Sequence, residues 1–193
     1  MTQWTLLDDA HAALRAAIRD LPQSDLDAPT PCTEWTVTQV IHHAAGDQLG
    51  YASALTDGPG PTYNPFEPPA AFGERTPGDL VEPALRAAAA AWATVDKDAS
   101  EVRVPIPPGL LTAELGAGAC ALDAAVHAWD IAMATGRPSP LTDELAEALL
   151  PTARATTEAV RAFAYGPALE GPDEDGPAAV LLRYLGRSPD WKR

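Results

Sequence analysis

The chain has 193 residues and a formal charge of −14, from 13 basic and 27 acidic side chains. Its two lysines, Lys97 and Lys192, and its scattered arginines form no basic stripe, which excludes a phosphate-tracking nucleic-acid surface and a polybasic membrane patch. No apolar run reaches the ~18 residues of a membrane span, the N-terminus shows no basic and apolar leader, and two cysteines make no disulfide framework, so a cytoplasmic protein is expected.

The length fits one domain over residues 1–193. About a fifth of the chain is Ala, and its 20 prolines gather in clusters. Proline inside a helix costs ~3 kcal/mol, so helices belong in the gaps between clusters. The first gap predicts a helix over 5–21, carrying His11 on what reads as its surface. The second predicts a helix over 36–56. Thr36-x-x-Gln39 is a capping box that satisfies two orphan backbone N–H groups, and Trp35 with Val40 suits a hydrophobic staple. This helix places Val37, Val40, Ile41, Ala44, Tyr51 and Leu55 on one side. Residues 57–78 form a Pro/Gly loop of a length that is usually functional or a long crossover.

A third helix is expected over 80–95, with Val81, Leu85, Ala88, Trp92 and Val95 at helical spacing. Val102 to Ile106 alternates, but its proline confines it to an extended connection or an edge. The fourth helix, 112–135, repeats Leu115, Ala119, Leu122, Val126, Trp129 and Met133 as a core seam and ends at Gly136 before Pro138. The fifth, 142–165, carries Leu145, Leu149, Thr156, Ala159 and Phe163, with Pro151 as an expected kink. A short helix follows near 177–185. Amphipathic helices without a sheet give an all-α bundle.

Asp123, His127 and Asp130 lie at i, i+4 and i+7 on the fourth helix, in a stripe roughly 80° from its seam. A carboxylate and an imidazole four residues apart can meet one divalent ion. On an exposed face the same pair would be a weak helix contact of about a few tenths of a kcal/mol. His42 and His43 on the second helix could complete a His₂–carboxylate site with one coordination position open. Periodicity leaves both histidines near the apolar edge; His43 lies nearer Val40 and Asp47. Asp130 reads equally as an acceptor behind a ligating imidazole or as a surface carboxylate. Asp47, four residues after His43, is as open. Trp129 reads as core, and Cys32 and Cys120 as inert thiols. Gly116-Ala117-Gly118-Ala119-Cys120-Ala121 matches a dinucleotide fingerprint on paper but follows no strand; its small residues fit close helix packing instead.

Three segments carry a resemblance. They are Pro29-Thr30-Pro31-Cys32-Thr33-Glu34-Trp35-Thr36-Val37 with His43 after it; Asp123-Ala124-Ala125-Val126-His127-Ala128-Trp129-Asp130-Ile131-Ala132 with Thr135-Gly136; and the tail Leu185-Gly186-Arg187-Ser188-Pro189-Asp190-Trp191. In these the chain resembles the DinB-like metal-binding bundle proteins, in particular the mycothiol-dependent maleylpyruvate isomerase N-terminal-domain group. The resemblance implies a four-helix bundle of up-down-down-up topology with additional C-terminal helices, the 57–78 segment being its crossover. It implies metal ligands at His43, Asp123 and His127, with Zn²⁺ the fitting ion and Ni²⁺ an alternative. It implies a low-molecular-weight thiol such as mycothiol as co-substrate, and a small electrophile as substrate. The isomerase looks Glu-x-x-x-His where this chain has the shorter Asp123, as an uncharacterised metal-binding subgroup does. The resemblance also gives the isomerase a further C-terminal domain for which this chain leaves no room. The rival reading is a non-catalytic bundle that binds a small ligand or a protein partner, its small-residue faces suited to a homodimer.

Overall fold

Helices form where the prolines leave room, and their ends are set by local chemistry. The computed structural model describes residues 3–172 and 174–193. Six α-helices are present there: α1 (Thr5–Ile18), α2 (Val37–Thr56), α3 (Pro77–Trp92), α4 (Ala113–Ala134), α5 (Asp143–Ala164) and α6 (Pro177–Tyr184). The Thr36–Gln39 capping box is formed as expected. A second box, Thr76 with Asp79, starts α3 three residues earlier than apolar spacing alone predicts, with Pro77 in its first turn. α1 stops at Ile18 rather than near 21, because Arg19 is extended and Asp20 takes a positive φ of 51°. The expected extended stretch pairs into a minimal hairpin, β1 (Val102–Arg103) against β2 (Leu110–Leu111), with Val102 opposite Leu111.

Contacts at helix ends fix the directions. Trp4 at the start of α1 donates its indole N–H to Trp92 O at the end of α3, and Arg15 near the end of α1 pairs with Glu82 in the first half of α3. α1 and α3 therefore run antiparallel. Arg137, just past α4, donates to the carbonyls of Arg19 and Asp20 just past α1, so α1 and α4 run together. Gln48 reaches Cys120 while the earlier His43 meets the later His127, so α2 opposes α4. The order is up-down-down-up, and the segment between α2 and α3 is the crossover. The fold is the all-α, DinB-like bundle that the sequence implies.

α4 is not the one-sided helix its seam predicts. It is buried almost all round, Asp123, His127 and Asp130 included, because α1, α2 and α5 all pack on it. Small residues permit this. A Cβ on Gly116 would lie 2.8 Å from the Trp92 ring, and one on Gly118 would run into Thr152 of α5. On α5 the buried face runs through Leu145, Leu149, Thr152, Thr156 and Val160. Ala159 and Phe163, assigned to that face from spacing, point outward instead, Phe163 with 57% of its surface exposed. The helix continues through Pro151. No helix of the described residues is long and apolar enough to cross a membrane.

Candidate metal centre

α2 and α4 bring three of the sequence-predicted side chains to one point. Ligand atoms of His43, Asp123 and His127 lie within 4.8 Å of one another, and all three residues are buried. His43 Nε2 is 3.7 Å from Asp123 Oδ1, and His127 Nε2 is 3.4 Å from the same oxygen. The tautomers are set by what stands behind each ring. His43 Nδ1–H donates to the Pro65 carbonyl at 2.9 Å, and His127 Nδ1–H donates to Asp130 Oδ2 at 2.9 Å. Both Nε2 lone pairs are thereby left facing Asp123 Oδ1. Its other oxygen, Oδ2, takes an N–H from Gln48 at 3.4 Å.

His42, the alternative left open by periodicity, turns away. Its Nδ1–H donates to Thr38 O, and its ring stacks on Phe72 with centroids 4.8 Å apart. The 57–76 segment decides between the two histidines. Tyr63 clamps it to α2 by donating to His42 O at 2.6 Å, and Pro65 then supplies the acceptor for His43.

His11 is not a surface residue as its position on the first helix suggests. It is 2% exposed, and its Nε2–H donates to Gln48 Oε1 at 2.8 Å. Gln48 of α2 supplies the polar partner that a buried imidazole requires.

Asp130 is settled as the acceptor behind His127. It is fully buried and takes two N–H bonds from Arg187, at 2.9 Å each from Nε and Nη2. Burial opposes its charge, but Arg187 and His127 hold its pKa down at about 2. Arg187 reaches Asp130 from the far end of the chain. Gly186 (φ 77°) closes α6 with a paired turn: Gly186 N–H to Arg183 O and Arg187 N–H to Leu182 O. A Cβ on Gly186 would lie 2.8 Å from the Gly166 backbone. Sequence reasoning placed Arg187 in the tail motif but gave it no role, since nothing local links it to His127.

Burial also shapes the electrostatics. It pushes His127 down to about 4, so the imidazole is neutral and free to ligate. It pushes Asp123 well above the carboxylate range, with the nearby Asp47 adding to the shift, and raises Asp47 as well. A cation among these groups would remove the cost of ionising both carboxylates. Asp47 Oδ2 lies 3.6 Å from His43 Nε2, so it faces the same point.

The centre forms the floor of a cavity of about 850 Å³. Trp35 lies against His43 with centroids 4.5 Å apart, and Phe66 meets His43 edge-on at 5.5 Å. Thr30 shapes the loop before α2: its hydroxyl donates to Trp35 O and accepts from Cys32 N–H. Cys32 lines the cavity, its thiol pushed up by burial to about 12. Cys120 is buried, donates to Gln48 Oε1 at 3.1 Å, and burial pushes its thiol well above the usual range. Trp129 is buried in the core as expected.

A helical bundle with two imidazoles and a carboxylate at the floor of a cavity defines the class. The family described as mycothiol maleylpyruvate isomerase N-terminal domain matches residues 7–132, and the chain belongs to it. An uncharacterized protein of Mycobacterium tuberculosis is 33% identical over 196 residues, covering 93% of each chain. A Bacillus cereus protein provisionally named a metal-dependent hydrolase is 35% identical over 65 residues, 32% of this chain and 37% of its own. Among solved structures, a histidine variant of mycothiol-dependent maleylpyruvate isomerase shares the fold at a TM-score of 0.64 and 18% identity. The likeness covers 97% of this chain and 89% of that one, so the whole chain, α5 and α6 included, follows that architecture.

Proposed function

We propose that the chain holds one divalent cation between His43, Asp123 and His127 and uses it to present a low-molecular-weight thiol to a small electrophile. The observation that carries this is the convergence of two fixed Nε2 lone pairs and one carboxylate oxygen on the cavity floor. Tetrahedral zinc with bonds of ~2.0–2.1 Å separates its ligand atoms by roughly 3.3 Å. The Nε2–Oδ1 separations here are 3.4 and 3.7 Å. The N₂O donor set suits Zn²⁺, and Ni²⁺ is the other ion such donors accept.

When bound, such an ion keeps a coordinated thiol as thiolate. The chain supplies the rest. Asp130 and Pro65 O hold the imidazoles in one tautomer, and Trp35 and Phe66 shield the floor from water. Burial raises both cysteine thiols above their ordinary range, which supports a reacting thiol from outside the chain. Mycothiol, which stands in the family's description, is the thiol proposed. The partial likeness to a named hydrolase favours a second reading, in which water takes the same open position.

Metal analysis of the natively purified protein tests the centre. About one divalent ion per chain is expected, and His43→Ala, Asp123→Ala and His127→Ala should each lose it. Equal metal content in all four proteins overturns the proposal. Consumption of a generic electrophile that needs both metal and added thiol selects the first reading; metal-dependent turnover without thiol selects the second.

A further inference from the structure

The charges around the cavity bear on what it admits. Its lining includes four carboxylates, Glu34, Asp47, Glu67 and Asp123, and one guanidinium, Arg187. That guanidinium is buried and already committed to the protein. Nε and Nη2 donate to Asp130, Nη1 donates to Leu185 O, and the residue is 6% exposed. Its Nε–Nη2 fork is already occupied by Asp130, and its burial leaves little of it to a ligand carboxylate. A buried carboxylate needs a charge partner or several donors. A divalent ion on the floor would already be balanced by Asp123 and Asp47, leaving Glu34 and Glu67 uncompensated at the mouth.

The mouth is also aromatic. Phe66 and Phe163 are 43% and 57% exposed, and they meet edge-to-face at 5.7 Å. They come from the crossover segment and from α5, so the pair spans the opening. Large exposed rings gathered beside a cavity mark a place for an apolar body. Aromatic faces beside carboxylates also favour a cation over an anion.

Resting on the reading above, we infer that the second substrate is an uncharged or cationic molecule with an aromatic or alkyl body, held against Phe66 and Phe163. Dicarboxylates are disfavoured, maleylpyruvate among them. This chain thus departs in substrate charge from the isomerase whose fold it shares.

Calorimetric titration at low ionic strength tests this with three phenyl probes: benzamide, benzyltrimethylammonium and phthalate. Each is titrated into metal-free and zinc-supplemented protein. The first two should bind at least about tenfold more tightly than phthalate in both. Joint Phe66→Ala and Phe163→Ala substitution should weaken them several-fold, and joint Glu34→Gln and Glu67→Gln substitution should improve phthalate. Phthalate binding as tightly as the others, no binding by any probe, or no response to either double variant overturns the inference. If zinc does not bind but the ranking holds in the metal-free protein, the metal centre falls and this inference stands. If zinc binds and phthalate is preferred, the reverse holds.

Discussion

Two polar clusters lie within the same bundle, and they differ in kind. Around Gln48 everything is closed. Its Oε1 accepts from His11 Nε2–H and from the Cys120 thiol, and its Nε2 donates to Cys120 O and Asp123 Oδ2. At the floor of the cavity, His43 and His127 spend their Nδ1 protons on Pro65 and Asp130, and their other nitrogens face a carboxylate beside open space. A buried histidine is therefore not a ligand by virtue of burial. It can serve as one when its second nitrogen has no protein donor and a cavity lies in front of it. Asp123 touches both clusters and joins them.

The support behind His127 is where that contrast breaks most sharply. Asp130→Ala leaves Arg187 buried without its counter-charge, and a loss of about 3–5 kcal/mol is expected in denaturant melts. Replacing Arg187 by Met as well should restore much of the stability, because removing both charges is often close to neutral. Metal affinity should stay about 10–100-fold lower in both variants, since His127 has lost its acceptor. If affinity recovers together with stability, Asp130 only balances Arg187 and does not orient the imidazole.

The closed cluster answers to pH. Burial, with Arg15 adding to it, lowers His11 to about 4 despite the Gln48 hydrogen bond. As pH falls below about 6.5 the unfolded chain takes up this proton first. The stability contribution is complete above that value and is lost as pH falls toward 4, by about 3 kcal/mol. NMR titration of the four histidines checks it: a His11 that protonates near its ordinary value refutes the closed description.

The smallest effect lies in the helix that carries His43 and Gln48. Thr36→Ala removes the cap of α2 and should cost about 1 kcal/mol in thermal or denaturant unfolding. Metal content should not change, because the cap sits nearly two turns from His43 and touches neither cluster. Loss of metal in this variant would show that the two clusters are coupled through α2.

Much of the bundle was legible in the chain because helix signals are local. Thr36 with Gln39 and Gly136 before Pro138 each act within a turn or two, and they mark ends that the structure keeps. The box at Thr76 and Asp79 was equally readable, yet apolar spacing alone starts α3 too late. The spacing on α5 assigned Phe163 inward, because a period cannot tell a core face from the rim of a cavity. For the site, the i, i+4 pair Asp123 and His127 follows from helix geometry.

Sequence by itself determined the helical class, the family and the residue types able to hold an ion, because these rest on periodicity, caps and short motifs. Only the tertiary structure decided between His42 and His43, buried His11 beside Gln48, and set Arg187 behind Asp130. Each of those outcomes depends on a partner more than twenty residues away in the chain, the Pro65 carbonyl, Gln48 and Asp130 respectively, and no local pattern encodes which distant group will meet a given nitrogen.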